Sequence, residues 1–111
     1  MDISLTQYKH CTLIKPSGRV DSGTAPKLLE TINQVQLAGQ YRIVIDMGGV
    51  EFISSSGLWV LVNAQKASKR YNRGEVVLAC LPAKIHASLE LAGFVPFFKL
   101  FDDVTSAVGS F

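Results

Sequence analysis

The run Tyr41-Arg-Ile-Val-Ile-Asp46 limits the possible folds more than any other stretch, because it is nearly all apolar, β-branched and without polar alternation. A strand with one wet face alternates, whereas a strand lacking alternation is covered on both faces. Glu75-Val-Val-Leu-Ala-Cys80 repeats the pattern. Between the two runs, Gly57, Val60, Leu61, Ala64, Ala67, Ser68 and Tyr71 recur at helical spacing and form one small-to-apolar face suited to close packing on a sheet. Strand, helix and strand in that order imply a right-handed crossover and a parallel pair.

The remaining segments extend this core. Ile3, Leu5 and Gln7 alternate with polar neighbours, and Cys11-Thr-Leu-Ile-Lys15 follows, so two short strands around a turn are expected, with Pro16-Ser-Gly18 breaking the second. Apolar residues at 25, 28, 29, 32 and 35 mark a helix with Thr24 as N-cap, Pro26 in its first turn and Gly39 past its end. Met47-Gly-Gly49 is a turn and Asn72-Arg-Gly74 a break. Pro82 opens a short helix through Ile85, Leu89 and Ala92, closed by Gly93. Phe97-Phe98-Lys99-Leu100 is a last short strand, and Asp102-Asp103 starts a helix through Val108. The order β-β-α-β-α-β-α-β-α gives an α/β fold, a single domain over residues 1–111, with a mixed β-sheet, a parallel centre and packed α-helices.

Composition excludes several classes. At 48% hydrophobic and 18% charged, the 111-residue chain is neither a disordered tail nor a charged coiled coil. A net charge of +2 is no footprint for nucleic acid. No run reaches the about 18 apolar residues of a membrane span. Met1–Cys11 lacks the apolar segment of a signal peptide, so a cytoplasmic, reducing compartment is expected. Cys11 and Cys80 sit in apolar runs as small hydrophobes, and with His10 and His86 they show no metal-ligand spacing. Lys66, Lys69, Arg70 and Arg73 gather at a helix end, where positive charge suits the macrodipole.

Enzyme templates fail. The glycines form neither G-x-G-x-x-G nor a P-loop, the serines at 54–56 lack the nucleophile-elbow glycines, and neither histidine is placed beside a serine or cysteine. Asp46 reads as the polar end of a strand, and Asp102-Asp103 as a helix cap. The informative segment is Asp46-Met-Gly-Gly-Val-Glu-Phe-Ile-Ser-Ser-Ser-Gly-Leu-Trp59. One serine suffices to cap the helix that follows. Ser56 then stands in the first turn beside Gly57, where a phosphate would meet free N–H groups and the positive helix end without unfolding the domain. Trp59 lies off the packing face, on a stripe with Asn63, Lys66 and Arg70. It neighbours Ser55 and Ser56 at i+4 and i+3, either under an adjacent loop or as an exposed anchor for a partner.

The run YRIVIDMGGVEFISSSGLWVLV closely resembles the signature of STAS domains, the family of bacterial anti-sigma factor antagonists: a hydrophobic strand ending in Asp, a short loop, then Asp-Ser-Ser-Gly-Leu-Gly opening a helix. PSGRVDSGTAPKLLETI resembles the family's Gly-x-Leu/Val-Asp motif and helix, so the resemblance spans nearly the whole chain. It implies that Ser56 is the phosphorylatable serine, with Ser55 before it and Asp21 as the motif aspartate. Ser54 replaces the usual Asp and Trp59 a Gly. Ser54, Ser55, Gly57, Trp59 and Asp21 are thereby expected to meet the partner.

The resemblance further implies a non-enzymatic switch without cofactor. The unphosphorylated form binds a GHKL-type serine kinase/anti-sigma factor and releases a sigma factor; phosphorylation ends the interaction and a serine phosphatase resets it. No nucleic acid and no membrane insertion are expected. A STAS accessory or scaffold subunit of a transporter or stress-signalling complex, docking without a phosphorylation cycle, is the alternative.

Overall fold

The computed structural model describes residues 1–111. Its single six-stranded sheet has the order β1-β2-β3-β5-β6, with β4 paired to β2 beyond β3. β1 (Asp2–Gln7) runs antiparallel to β2 (Thr12–Val20), and every other pairing is parallel. β3 (Arg42–Asp46) and β5 (Glu75–Ala79) lie side by side at the centre, flanked by β6 (Lys99–Phe101). This is the expected mixed sheet with a parallel centre.

The unalternating runs are explained by burial on both sides. Ile43, Ile45, Val76 and Leu78 face a large core shared with helices α1 (Ala25–Leu37), α2 (Ser55–Lys69) and α3 (Ala83–Leu91). Val44, Val77 and Ala79 face the opposite side, where α4 (Val104–Gly109) lays Ala107 over them. Val60, Leu61 and Ala64 of α2 are buried as expected, and so are Leu58, Val62 and Gln65, which makes its packed face wider than the spacing indicated. Tyr71 is not on that face: the helix ends before it, and its backbone turns left-handed at φ +60.

Three corrections concern the sheet. Pro16 does not break β2. It falls where that edge of β2 changes neighbours, from β3 up to Ile14 to β4 from Gly18, so its missing N–H forfeits no ladder bond. β4 (Val50–Ile53) is a strand that the residue pattern did not reveal. Its buried ends and exposed middle do not alternate, and its identity comes from pairing with Gly18–Val20 across a bulge at Gly18/Arg19. The last strand is also shifted, with Val95–Phe97 forming a 3-10 turn before it. Cys11 is fully buried, but Cys80 lies just past β5 and is only half-buried; burial raises the pKa of both thiols.

Helix ends follow the residues that make them. Gly39, at φ +100, closes α1 with Gly39 N–H donating to Gln36 and Gln40 N–H to Val35, the two bonds of a Schellman motif. Asp103 accepts from Ser106 N–H at 2.7 Å, as its place before α4 indicated.

Two buried glutamines tie α2 to its neighbours. Gln65 accepts from Val76 N–H at 2.7 Å and donates to the carbonyls of Val76 and Phe97, so its amide continues the edge of β5 beyond the reach of β6. Gln36 of α1 donates to Ala64 O and Ser68 Oγ of α2.

Leu61 is fully buried in the main core. Leu61→Ala is expected to destabilise the domain by about 2–5 kcal/mol, read as a lower urea midpoint at unchanged slope; an unchanged midpoint would place this side chain outside the core.

Candidate functional site

The serine segment sits where the carboxyl ends of β2 and β4 meet the start of α2. Val20 pairs with Ile53, and the next residue on the β4 side, Ser54, donates its N–H to Val20 O at 2.8 Å. Ser54 is the N-cap: its backbone is extended and its hydroxyl accepts from Gly57 N–H at 3.3 Å. Leu58 N–H reaches Ser54 O and begins the helical ladder. The N–H groups of Ser55 and Ser56 are left at the open helix end, where the macrodipole is positive. Both serine side chains are exposed.

Ser55 neither caps nor packs, so exposure alone does not separate it from Ser56. One expectation changes here. Gly57 does not present open surface to a partner. It is buried, and an added Cβ would stand 2.7 Å from both Val20 Cγ1 and Ile53 Cγ1 and 3.2 Å from Val20 O. Its function is close approach: only glycine lets the helix start rest on the two strand ends.

Asp21 follows Val20 and lies at the same end of the sheet. Its Oδ1 accepts from Gly23 N–H at 3.0 Å and Thr24 N–H at 3.1 Å, while Thr24 Oγ1 accepts from Asp21 N–H at 2.9 Å. Its carbonyl receives the N–H groups of Thr24 and Ala25. Thr24 holds the N-cap position of α1, as expected, but its side chain makes no capping bond to the helix. The reciprocal bonds form a capping-box arrangement between Asp21 and Thr24 in the turn that leads into α1, and the Thr24 hydroxyl donates back to Arg19 O. The Gly23 N–H bond, aided by those to Thr24 and by Arg19, holds the Asp21 carboxyl below its ordinary pKa against the opposing effect of desolvation. Arg19 also spreads over the Phe52 ring, 4.3 Å from its centroid, linking the turn to β4.

Trp59 is partly covered and partly exposed. It is 50% exposed, and one edge packs on Phe94 in a T-shaped pair with centroids 5.2 Å apart. Phe94 in turn meets Phe97 at 5.9 Å, so an aromatic ridge runs from the first turn of α2 to the segment after α3. Sequence reasoning missed Phe94 and placed Phe97 only in the last strand; the cluster of phenylalanines at 94, 97 and 98 is the available signal. Asp46 accepts from Gly48 N–H and lies 4.0 Å from Lys15 Nζ, the polar strand end expected. No group of three or more His, Cys, Asp or Glu is placed to hold a metal ion, and no helix is long and apolar enough to cross a membrane.

With this geometry in view, comparisons with known proteins define the class. Residues 2–107 match the profile of the STAS domain. The chain belongs to the STAS domain family. It is 30% identical over 94 residues to the candidate anti-sigma factor antagonist BtrV of Bordetella bronchiseptica, covering 85% of this chain and 80% of that protein. It is 34% identical over 77 residues to the anti-sigma-B factor antagonist of Listeria monocytogenes, covering 69% and 67%. Among solved structures, a candidate anti-sigma factor antagonist of Thermotoga maritima superposes with a TM-score of 0.90 at 19% identity, covering 97% of this chain and 92% of that one. The phosphorylated form of the Bacillus cell-fate determinant SpoIIAA superposes with a TM-score of 0.76 at 14% identity and 98% coverage of both chains.

Two outcomes test the site's construction. Gly57→Ala forces β-branched neighbours apart and is expected to cost about 1–3 kcal/mol, visible as a lower melting temperature; unchanged melting would show that the helix start is not seated on Val20. Asp21→Asn is expected to lower stability near neutral pH. A carboxylate with a depressed folded pKa stabilises above its unfolded value, about 3.9, and that contribution is lost as pH falls through the folded value. The urea midpoints of the variant and the parent chain should therefore converge below about pH 4, and a gap that persists in acid would count against the capping box.

Proposed function

We propose that this chain is an anti-sigma factor antagonist that acts by binding rather than catalysis. Its unphosphorylated form engages a GHKL-type serine kinase/anti-sigma factor and so frees a sigma factor. The kinase phosphorylates Ser56, which ends the interaction, and a serine phosphatase restores it. Asp21, Ser54, Ser55 and Trp59 border the contact surface, with Gly57 beneath it holding the helix start in place.

The observation that carries this reading is the division of labour in the helix opening. Ser54 is committed to the cap and Gly57 to packing, while Ser56 offers an exposed hydroxyl in the first turn. A phosphoryl group there adds roughly −1.5 to −2 charge at a helix end that accommodates anions. The domain therefore stays folded, and the effect falls on the interface through desolvation and repulsion. That a fold neighbour is described in a phosphorylated form supports the compatibility of this architecture with the modification. Ser56, rather than the equally exposed Ser55, is assigned by its place directly before Gly57-Leu58.

The test uses the parent chain, Ser56→Ala and Ser56→Asp as baits in lysate of the source cell, each checked by melting. The parent and Ser56→Ala are expected to capture a GHKL-type ATPase and Ser56→Asp to lose it. Phosphopeptide mapping after incubation with that kinase and ATP is expected to find phosphate on Ser56. Phosphate on Ser54 or Ser55 with Ser56 bare would refute the assignment. Equal capture by Ser56→Asp would favour a scaffold without a phosphorylation cycle.

A further inference from the structure

The charges of this chain are unevenly distributed along the strand direction. Carboxylates collect where the parallel strands end, Asp21 after β2, Asp46 closing β3, Asp102 and Asp103 after β6, and two of them have cations beside them, Arg19 at Asp21 and Lys15 at Asp46. Cations collect where the strands begin and α2 ends: Arg42 opens β3, Lys99 opens β6, and Lys69, Arg70 and Arg73 run off α2, while Lys66 reaches back over the Trp59 ring. This basic end is continuous. Lys69 and Lys99 share Glu75, at 4.0 and 3.6 Å, and Arg42 stands in register with that same residue. Arg73 bonds Tyr41 Oη at 3.2 Å, and Arg70 lines one depression with Tyr41 and Leu37. Glu75 is the only carboxylate paired with it. The overall charge of +2 conceals this arrangement.

We propose that the basic end is a docking surface for an anionic lipid bilayer, on which the domain rests without entering the hydrocarbon. Polybasic clusters are held at anionic headgroups, but charge alone does not select a membrane. The apolar groups do. Leu37, 85% exposed, borders the depression it shares with Tyr41 and Arg70, and Tyr71 is 78% exposed. A leucine has nothing to gain from a phosphodiester backbone, whereas an aliphatic tip among cations suits the boundary between headgroups and acyl chains. The tyrosines are not free stacking platforms either: Arg70 lies over Tyr71 at 5.4 Å and Arg73 over Tyr41 at 5.1 Å. The fifteen residues of α2, at roughly 1.5 Å each, place Ser56 about 20 Å from this end, on the side facing away from the bilayer. Membrane docking and the serine site are therefore usable together.

Flotation with vesicles tests the proposal directly. The chain is expected to float with phosphatidylglycerol–phosphatidylcholine vesicles, not with phosphatidylcholine alone, and to be released as salt rises from about 50 to about 300 mM. Replacing Arg42, Arg70 and Arg73 together by Gln is expected to weaken partitioning roughly 100-fold at unchanged melting. Lys69→Gln with Lys99→Gln provides a second variant that leaves the Arg73–Tyr41 bond intact. Leu37→Ser is expected to weaken partitioning without changing its salt dependence. No flotation with the anionic vesicles at low salt, or flotation untouched by both charge variants, overturns the proposal. So does a single-stranded RNA or a polyglutamate peptide bound in preference to the vesicles.

Discussion

A single backbone hydrogen bond, Ser54 N–H to Val20 O at 2.8 Å, joins the end of β2 to the start of the longest helix, and the serine site depends on it. Around it three constraints coincide. Val20 and Ile53 are paired strand ends, Gly57 rests against both side chains, and Asp21 begins its capping box one residue beyond Val20. Each holds the others in register, because a shift of α2 along the sheet would drive the Gly57 position into Val20 or detach the Ser54 cap. The exposed hydroxyls of Ser55 and Ser56 are thus presented from a rigid base rather than a mobile loop, a requirement for a surface read by a partner.

The other end of α2 is fixed by different means. Gln65 satisfies both backbone groups of Val76 and the carbonyl of Phe97, and Gln36 binds α1 to α2 through Ala64 and Ser68. Fully satisfied buried amides specify one arrangement, since any slip leaves polar groups unpaired away from water. Apolar side chains alone pack the helix onto the sheet; these two glutamines determine where along the sheet it stops.

That placement has an electrostatic consequence. In a parallel sheet all strands start at one end, so residues at strand beginnings converge on one pole and those at strand ends on the other. The basic run of α2 joins Arg42 and Lys99 because α2 returns antiparallel to β5. Asp21, Asp46, Asp102 and Asp103 stand at the other end, with Arg19 and Lys15 beside two of them. A helix terminus with its complementary cations explains Lys69 and Arg70 one at a time; their union with strand-start cations exists only in the folded chain.

Local pattern carried much of this protein. The unalternating runs at 41–46 and 75–80 specified central, doubly covered strands, because burial on both faces leaves a compositional mark on the strand itself. The helical spacing from Gly57 located α2, and the serines before it marked its start. What the sequence left open was decided by partners distant in the chain. β4 is a strand because β2 extends past Pro16 to meet it, and the Thr24 hydroxyl is drawn from the α1 cap into the preceding turn by Asp21 N–H and Arg19 O. Gly57 is needed for the nearness of Val20, 37 positions earlier. By itself the sequence determined which segments are buried and which residues suit a helix opening, since side-chain polarity and local hydrogen bonding settle both. Only the tertiary structure decided which residues share an end of the molecule, because strand register and helix position arise from long-range pairing that no local spacing encodes.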